Sequence, residues 1–279
     1  MSGEDFLAAM ATASRARVAS ARRICGDAQM ARLVAAVKAP PPRIALSPEG
    51  FDVIAEVKLR SPAAGSLAPD DGGVIDRVAS YTVAGAAAVS VLTEPSRFDG
   101  SLEHLRLAAQ ALARVGAVPA MRKDFLVDPY QVLEARLAGA GGSLVILRML
   151  TRAEIDALLA VSARLSMFVL LEAFDEADIS LAEDLIASAP AGSQLLLGVN
   201  SRDLVTLKVV PGRLEQLAPR LPRSVPLVAE SGVAMTDDAR RLAQSGYRLA
   251  LIGSALMTAT DPAALLAALT RAGRMEARA

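Results

Sequence analysis

Eight short apolar runs recur along this 279-residue chain at near-regular spacing, and that repeat limits the fold more than any other feature. They are Val53–Val57, Ala88–Leu92, Val118–Met121, Leu144–Leu147, Met167–Leu171, Leu195–Val199, Leu227–Ala229 and Leu249–Ile252. Their ends lie about 23 to 35 residues apart, room for a strand, a loop, a helix and a return loop. Helical patterns fill the gaps, several closing on Gly85, Gly116, Gly139, Gly192 or Gly246, the residue expected just past a helix end. Eight strand–helix units predict an α/β fold, a (β/α)8 TIM barrel, which reaches this length as one domain. A doubly wound open sheet would need edge strands, and none of the runs is visibly polar.

The interior has to be aliphatic, because hydrophobic residues make up 53% of the chain and aromatics only 3%. Such packing suits parallel strands covered on both faces. Residues 1–50 precede the repeat, as an N-terminal helical extension of a single domain spanning 1–279. Between residues 4 and 38, Ala, Met, Leu, Val and Arg fall at helical spacing until Ala39-Pro-Pro-Pro-Arg43 stops them. The arginines there (Arg15, Arg17, Arg22, Arg23) are expected on a solvated face or as cover for the barrel top.

Lys+Arg 30 balances Asp+Glu 30, so there is no electrostatic footprint for nucleic acid or a membrane surface. Cys25 and His104 are single, which excludes an internal disulfide framework, a Cys- or His-rich metal site and a conventional Ser-His-Asp triad. Cys25 reads as a small packing residue and His104 as a helical N-terminal or solvated one. No charged n-region with an apolar h-region opens the chain, and a cytoplasmic protein is expected.

Barrel chemistry sits where strands end. The first run gives Glu56 and Lys58, which strand periodicity points to the same inward side. The second ends in Thr93-Glu94, with Arg97, Phe98 and Gly100 beyond. The third ends in Lys123, with Phe125 following. The fourth ends in Arg148, the fifth in Glu172, and the sixth in Asn200-Ser201-Arg202-Asp203. The seventh gives Glu230-Ser231-Gly232 and the eighth Gly253-Ser254. Buried charge is costly unless paired. Glu56, Lys58, Lys123 and Glu172 at one rim therefore argue for a site, whereas Glu94 and Arg148 read as solvated loop residues. Small residues after the last two strands fit the recurrent barrel phosphate pocket.

Taken in order, Ile54-Ala-Glu-Val-Lys with Ser61-Pro62, Val89-Ser-Val-Leu-Thr-Glu, Arg122-Lys-Asp-Phe, Leu171-Glu172, Gly198-Val-Asn-Ser-Arg-Asp-Leu, Ala229-Glu-Ser-Gly and Leu251-Ile-Gly-Ser resemble indole-3-glycerol phosphate synthase. The resemblance runs from about residue 4 to about residue 270. It implies a decarboxylating, dehydrating ring closure in tryptophan biosynthesis on 1-(2-carboxyphenylamino)-1-deoxy-D-ribulose 5-phosphate. By that resemblance Lys123 is the general acid and Glu172 the base or acid of the dehydration, assisted by Lys58 and Glu56. Asn200 and Ser231 orient the substrate, Arg202 holds the anthranilate carboxylate, Phe98 and Phe125 flank the ring, and Glu230 touches substrate. Lys58, Ser61, Gly232, Gly253 and Ser254 surround the phosphate. No metal or organic cofactor is implied. A monomer is expected, with possible association with other enzymes of the pathway.

The chemistry asks for a lysine whose pKa neighbouring cations can lower toward proton donation, and for carboxylates that counter the lysines. Three places depart from the family: Leu171-Glu-Ala-Phe174 where Val-Glu-Val-His is usual, Ser61-Pro-Ala-Ala-Gly65 for Ser-Pro-Ser-Lys-Gly, and Asn200-Ser-Arg202 for Asn-Asn-Arg. A copy specialised for a modified anthranilate fits the same residues. A sugar-phosphate isomerase would want an Asp and Cys pair at strand ends, and Cys25 lies far outside the barrel. A binding barrel without catalysis would not need both Lys123 and Glu172.

Overall fold

The structure, a computed structural model, describes residues 3–61, 65–67, 73–116 and 118–277. Among these, eight parallel strands close into a barrel: β1 (Asp52–Val57), β2 (Ala88–Leu92), β3 (Ala120–Lys123), β4 (Gly142–Ile146), β5 (Phe168–Ala173), β6 (Leu195–Asn200), β7 (Leu227–Glu230) and β8 (Leu249–Ile252). Each pairs with its neighbour in sequence, and β8 closes on β1 with Leu251 against Ile54. The expected (β/α)8 barrel with an N-terminal helical extension is what the chain forms.

Side-chain alternation divides the core in two. Val53, Ala55 and Val57 of β1, like Val169, Leu171 and Ala173 of β5, pack outward under the surrounding helices. Ile54, Ala88, Met121, Leu144, Phe168, Leu170, Leu196, Val228 and Leu249 pack inside. The same period, carried to the C-terminal ends, turns Glu56, Lys123, Glu172, Asn200 and Glu230 into the barrel mouth. At the opposite end Arg274, on the helix Pro262–Ala277, binds the buried Asp52 at 2.6 Å.

Several boundaries differ from the sequence reading, β4 starting two residues earlier and β5 ending two residues later than their apolar runs. β3 starts at Ala120, two residues later than expected, because Pro119 has no N–H for the ladder and uses only its carbonyl, which accepts from Val89 at 2.9 Å. Lys123 is the last residue of the strand, where the sequence reading placed it. Gly192 lies five residues past the helix Glu176–Ala187, in a separate turn and not at its end.

Before the barrel come α1 (Gly3–Ile24) and α2 (Asp27–Ala35). Leu7, Met10, Ser14 and Val18 recur at three and four residues and form the buried stripe of α1. No helix among the described residues is long and apolar enough to cross a membrane.

The inside of the barrel depends on one close approach. The Phe168 ring lies so near Gly142 that a Cβ there would come within 2.4 Å of it. Gly142→Val is expected to destabilise the protein by about 1–3 kcal/mol through overpacking. The check is the urea midpoint, which should fall with an unchanged slope; an unchanged midpoint would mean the ring has room to move.

Candidate active site

Lys123 ends β3 with its ammonium between two carboxylates from other strands. Nζ lies 3.3 Å from Glu172 Oε2 and 3.2 Å from Glu230 Oε2. Asn200 fixes the other oxygen of Glu172, donating from Nδ2 at 2.5 Å. Its own carbonyl oxygen accepts the backbone N–H of Arg202 at 2.9 Å. On β1, Lys58 donates to Glu56 at 2.6 Å. All these groups line one cavity of about 430 Å³, together with Arg202, Ser231, Gly232, Gly253 and Ser254. Lys58, Lys123, Glu172, Glu56, Asn200, Ser231, Arg202, Glu230, Phe98, Phe125, Gly232, Gly253 and Ser254 thus meet in one place. The side chain of Ser61, and Pro62-Ala63-Ala64 after it, lie outside the described residues.

Burial dominates the electrostatics. Glu230 is 1% exposed, and that desolvation, with Glu172 and Glu56 nearby, pushes its carboxyl up to about 8 despite the Lys123 ammonium. Burial alone would lower Lys123, but Glu172, Glu230 and Glu56 together hold its ammonium well above the ordinary lysine value. The expectation that neighbouring cations lower Lys123 is corrected here, since its contacts are carboxylates. Glu56 is also desolvated, yet Lys58, Lys123 and Arg202 keep it below the usual carboxylate range.

One wall of the cavity is polar backbone. Ser231 and Gly232 follow β7 with φ of 69° and 79°, and Ser231 accepts such a left-handed conformation without being glycine. At Gly253 a Cβ would lie 2.2 Å from Glu56 Oε1 and 2.8 Å from Lys58 Nζ; the missing side chain makes space for that ion pair. The other wall is aromatic. Phe125 meets Phe6 edge-on at 5.9 Å and Phe98 at 6.3 Å. Phe6, Phe98, Phe125 and Phe174 all line the cavity, four of the six phenylalanines in the chain.

Phe6 and Leu7 belong to α1, and the N-terminal arginines hold that helix over the mouth. Arg17 reaches Asp124 at 2.6 Å and the buried Glu94 at 3.5 Å. Arg22 grips Asp128 with two bonds of 2.8 Å and lies over the Tyr130 ring at 5.2 Å. Asp124 also accepts from Thr93 at 2.8 Å and Arg122 at 3.0 Å. Glu94 is not a solvated loop residue. It caps the short helix Pro95–Phe98, accepting from the N–H groups of Ser96 and Arg97. Arg148 is likewise engaged, with Asp175 at 2.5 Å, Asp178 at 2.6 Å and the Phe174 ring at 4.8 Å. Sequence reading missed Phe6, Leu7 and Asp124 as site residues. Phe6 carried one usable signal, a scarce aromatic in an otherwise Ala-rich helix.

Comparison with known proteins agrees with this geometry. The family described as "Indole-3-glycerol phosphate synthase" matches residues 7–269. The indole-3-glycerol phosphate synthase of Mycobacterium ulcerans (strain Agy99) is 38% identical over 277 residues, covering 98% of this chain and 96% of that protein. The multifunctional tryptophan biosynthesis protein of Schizosaccharomyces pombe (strain 972 / ATCC 24843) is 38% identical over 76% of this chain, which matches 27% of that longer protein. Among solved structures, 3-hexulose-6-phosphate synthase from Salmonella typhimurium superposes with a TM-score of 0.59 at 13% identity, over 81% of this chain and 99% of that one; this likeness is one of fold alone. The chain belongs to the indole-3-glycerol phosphate synthase family.

Proposed function

We propose that Lys123 starts, and Glu172 completes, the ring closure of an indole-3-glycerol phosphate synthase. The enzyme is a decarboxylating lyase. It converts 1-(2-carboxyphenylamino)-1-deoxy-D-ribulose 5-phosphate to indole-3-glycerol phosphate, carbon dioxide and water. In the first step the aromatic carbon attacks the ketone, and Lys123 gives its proton to the ketone oxygen. The carboxylate then leaves as carbon dioxide, and its electron pair restores the aromatic ring. Glu172 moves the proton in the dehydration that follows, and water departs. Lys58 and Glu56 assist, Asn200 orients Glu172, Arg202 takes the anthranilate carboxylate, and Phe6, Phe98 and Phe125 flank the ring. Ser231 orients the substrate, and Lys58, Gly232, Gly253 and Ser254 face the phosphate; Ser61, which the resemblance adds to them, has its side chain outside the described residues.

One observation carries this reading: an ammonium between Glu172 and Glu230, inside a cavity with aromatic walls on one side and open backbone on the other. A proton donor, a second acid–base group and room for both ends of the substrate meet there. The multifunctional relative carries a similar segment within a longer protein. That supports an enzyme that works beside others of tryptophan biosynthesis.

Turnover is read from the indole fluorescence of the product. Lys123→Met and Glu172→Gln are each expected to lower kcat by about 10²–10⁴-fold, the usual worth of a general acid or base, with the fold intact by circular dichroism. Wild-type turnover in folded Lys123→Met would overturn the assignment. Phe6→Ala should mainly raise KM, because it removes a wall and no reacting group; a fall confined to kcat would count against the wall.

Glu230 gives a separate prediction. Its carboxyl titrates near 8 when folded, against an ordinary value of 4.5. Its contribution to stability is therefore full below about pH 4.5 and is lost as pH rises toward 8. Carbon-13 NMR of the glutamate carboxyls should show one resonance titrating far above the rest. That signal should vanish in Glu230→Gln and move higher in Lys123→Met, where the lowering charge is gone. A Glu230 resonance titrating below 5 would refute the account.

A further inference from the structure

Gly198 sits at an inward-facing position of β6, two residues before Asn200. In register it lies beside Glu172 of β5 on one side and Val228 of β7 on the other. A Cβ built on it would come within 2.1 Å of Glu230 Oε1, and within 3.1 Å of Glu230 Cδ and of Leu170 Cδ1. Its φ is not left-handed, so the backbone itself would tolerate alanine. What requires glycine there is the carboxyl lying across the strand.

The two oxygens of that carboxyl have different surroundings. Oε2 faces the Lys123 ammonium at 3.2 Å. Oε1 has no hydrogen-bond partner among the described residues and rests against the bare Gly198 backbone. The side chain comes from β7 and lays Oε1 over Gly198 on β6 while Oε2 meets the ammonium from β3. A side chain at 198 would take the place of Oε1.

We propose that Gly198 is a positioning residue for the reaction: its empty place on β6 seats Glu230 against Lys123. The proposal rests on the role given above to the Lys123 cluster. A methyl group there meets the end of a flexible side chain, so it displaces the carboxyl by something on the order of 1 Å and leaves the barrel folded. Displacements of that size in a catalytic group cost about 10²-fold. The loss belongs mainly in kcat, since the contact that shifts is the one Glu230 makes with the proposed proton donor Lys123.

The test is Gly198→Ala, alone and combined with Glu230→Gln, read by turnover and by the carboxyl titration. Gly198→Ala is expected to lower kcat at least tenfold with KM changed less than threefold, and to move the Glu230 resonance away from its wild-type titration near 8. In the Glu230→Gln background the same substitution should cost little further, because the group it acts through is already gone. Full turnover with an unmoved titration in Gly198→Ala overturns the proposal, and so does an equal loss in the Glu230→Gln background. Should Gly198→Ala not fold, Glu230→Asp withdraws the oxygen and should restore folding to the double variant; failure there would put the cost on Leu170 and overturn the seat. The titration stands apart from turnover. A moved Glu230 signal reports the seat itself, whereas full activity in Glu230→Gln alone leaves the assignment of Lys123 standing and overturns the part of Gly198 in the reaction.

Discussion

Everything at the barrel mouth depends on keeping charges that water no longer reaches paired with one another. A buried ammonium or carboxylate left alone costs several kcal/mol, yet β1, β3, β5 and β7 each deliver one to the same space. The structure offsets this by interlocking them. Lys123 takes Glu172 and Glu230, Lys58 takes Glu56, and Asn200 ties down the free oxygen of Glu172. The room comes from Gly198 and Gly253, where a single methyl would strike Glu230 or Glu56. Pairing sets the chemistry, and glycine on neighbouring strands sets the pairing.

A second charge network, outside the strands, completes the pocket. Strand alternation turns Lys123 inward and its neighbours Arg122 and Asp124 the other way. There Asp124 joins Arg122, Thr93 and Arg17. Arg17 belongs to α1, so the helix that brings Phe6 and Leu7 to the cavity is fastened beside Lys123. A chain with only six phenylalanines and no tryptophan places four of its rings around that cavity. Phe51 and Phe168 are buried in the core instead.

The barrel was legible because its signal is repetitive. Eight apolar runs with helical gaps leave few other closures, and what was misplaced was one glycine and strand edges, by two residues at β3, β4 and β5. The strand-end charges were legible for the same reason: Glu56, Lys123, Glu172 and Glu230 continue inward-facing positions of strands already recognised. Contacts from far along the chain were not legible. Nothing near Glu94 announces Arg17, 77 residues before it, and nothing near Arg148 announces Asp178. The direction of the Lys123 shift was missed because residue types give the charges but not which ones touch. It took coordinates to show three carboxylates around it and, among the described residues, no cation in contact.

That shift sharpens the acid role proposed for Lys123. An ammonium held above the ordinary lysine value is protonated at any working pH, but it is a weak acid in the resting site. Its donation has to be drawn by the charge that grows on the ketone oxygen, and a fixed, dry ammonium stabilises such charge strongly. Charge balance supports this. With both glutamates ionised, Lys123, Glu172 and Glu230 sum to −1, and the substrate adds a carboxylate and a phosphate. With Glu230 protonated the trio is neutral. Burial pushes Glu230 up while the Lys123 ammonium pulls it down, so the two titrate as one group, and a proton taken up by Glu230 loosens the hold on the proton that Lys123 is proposed to give.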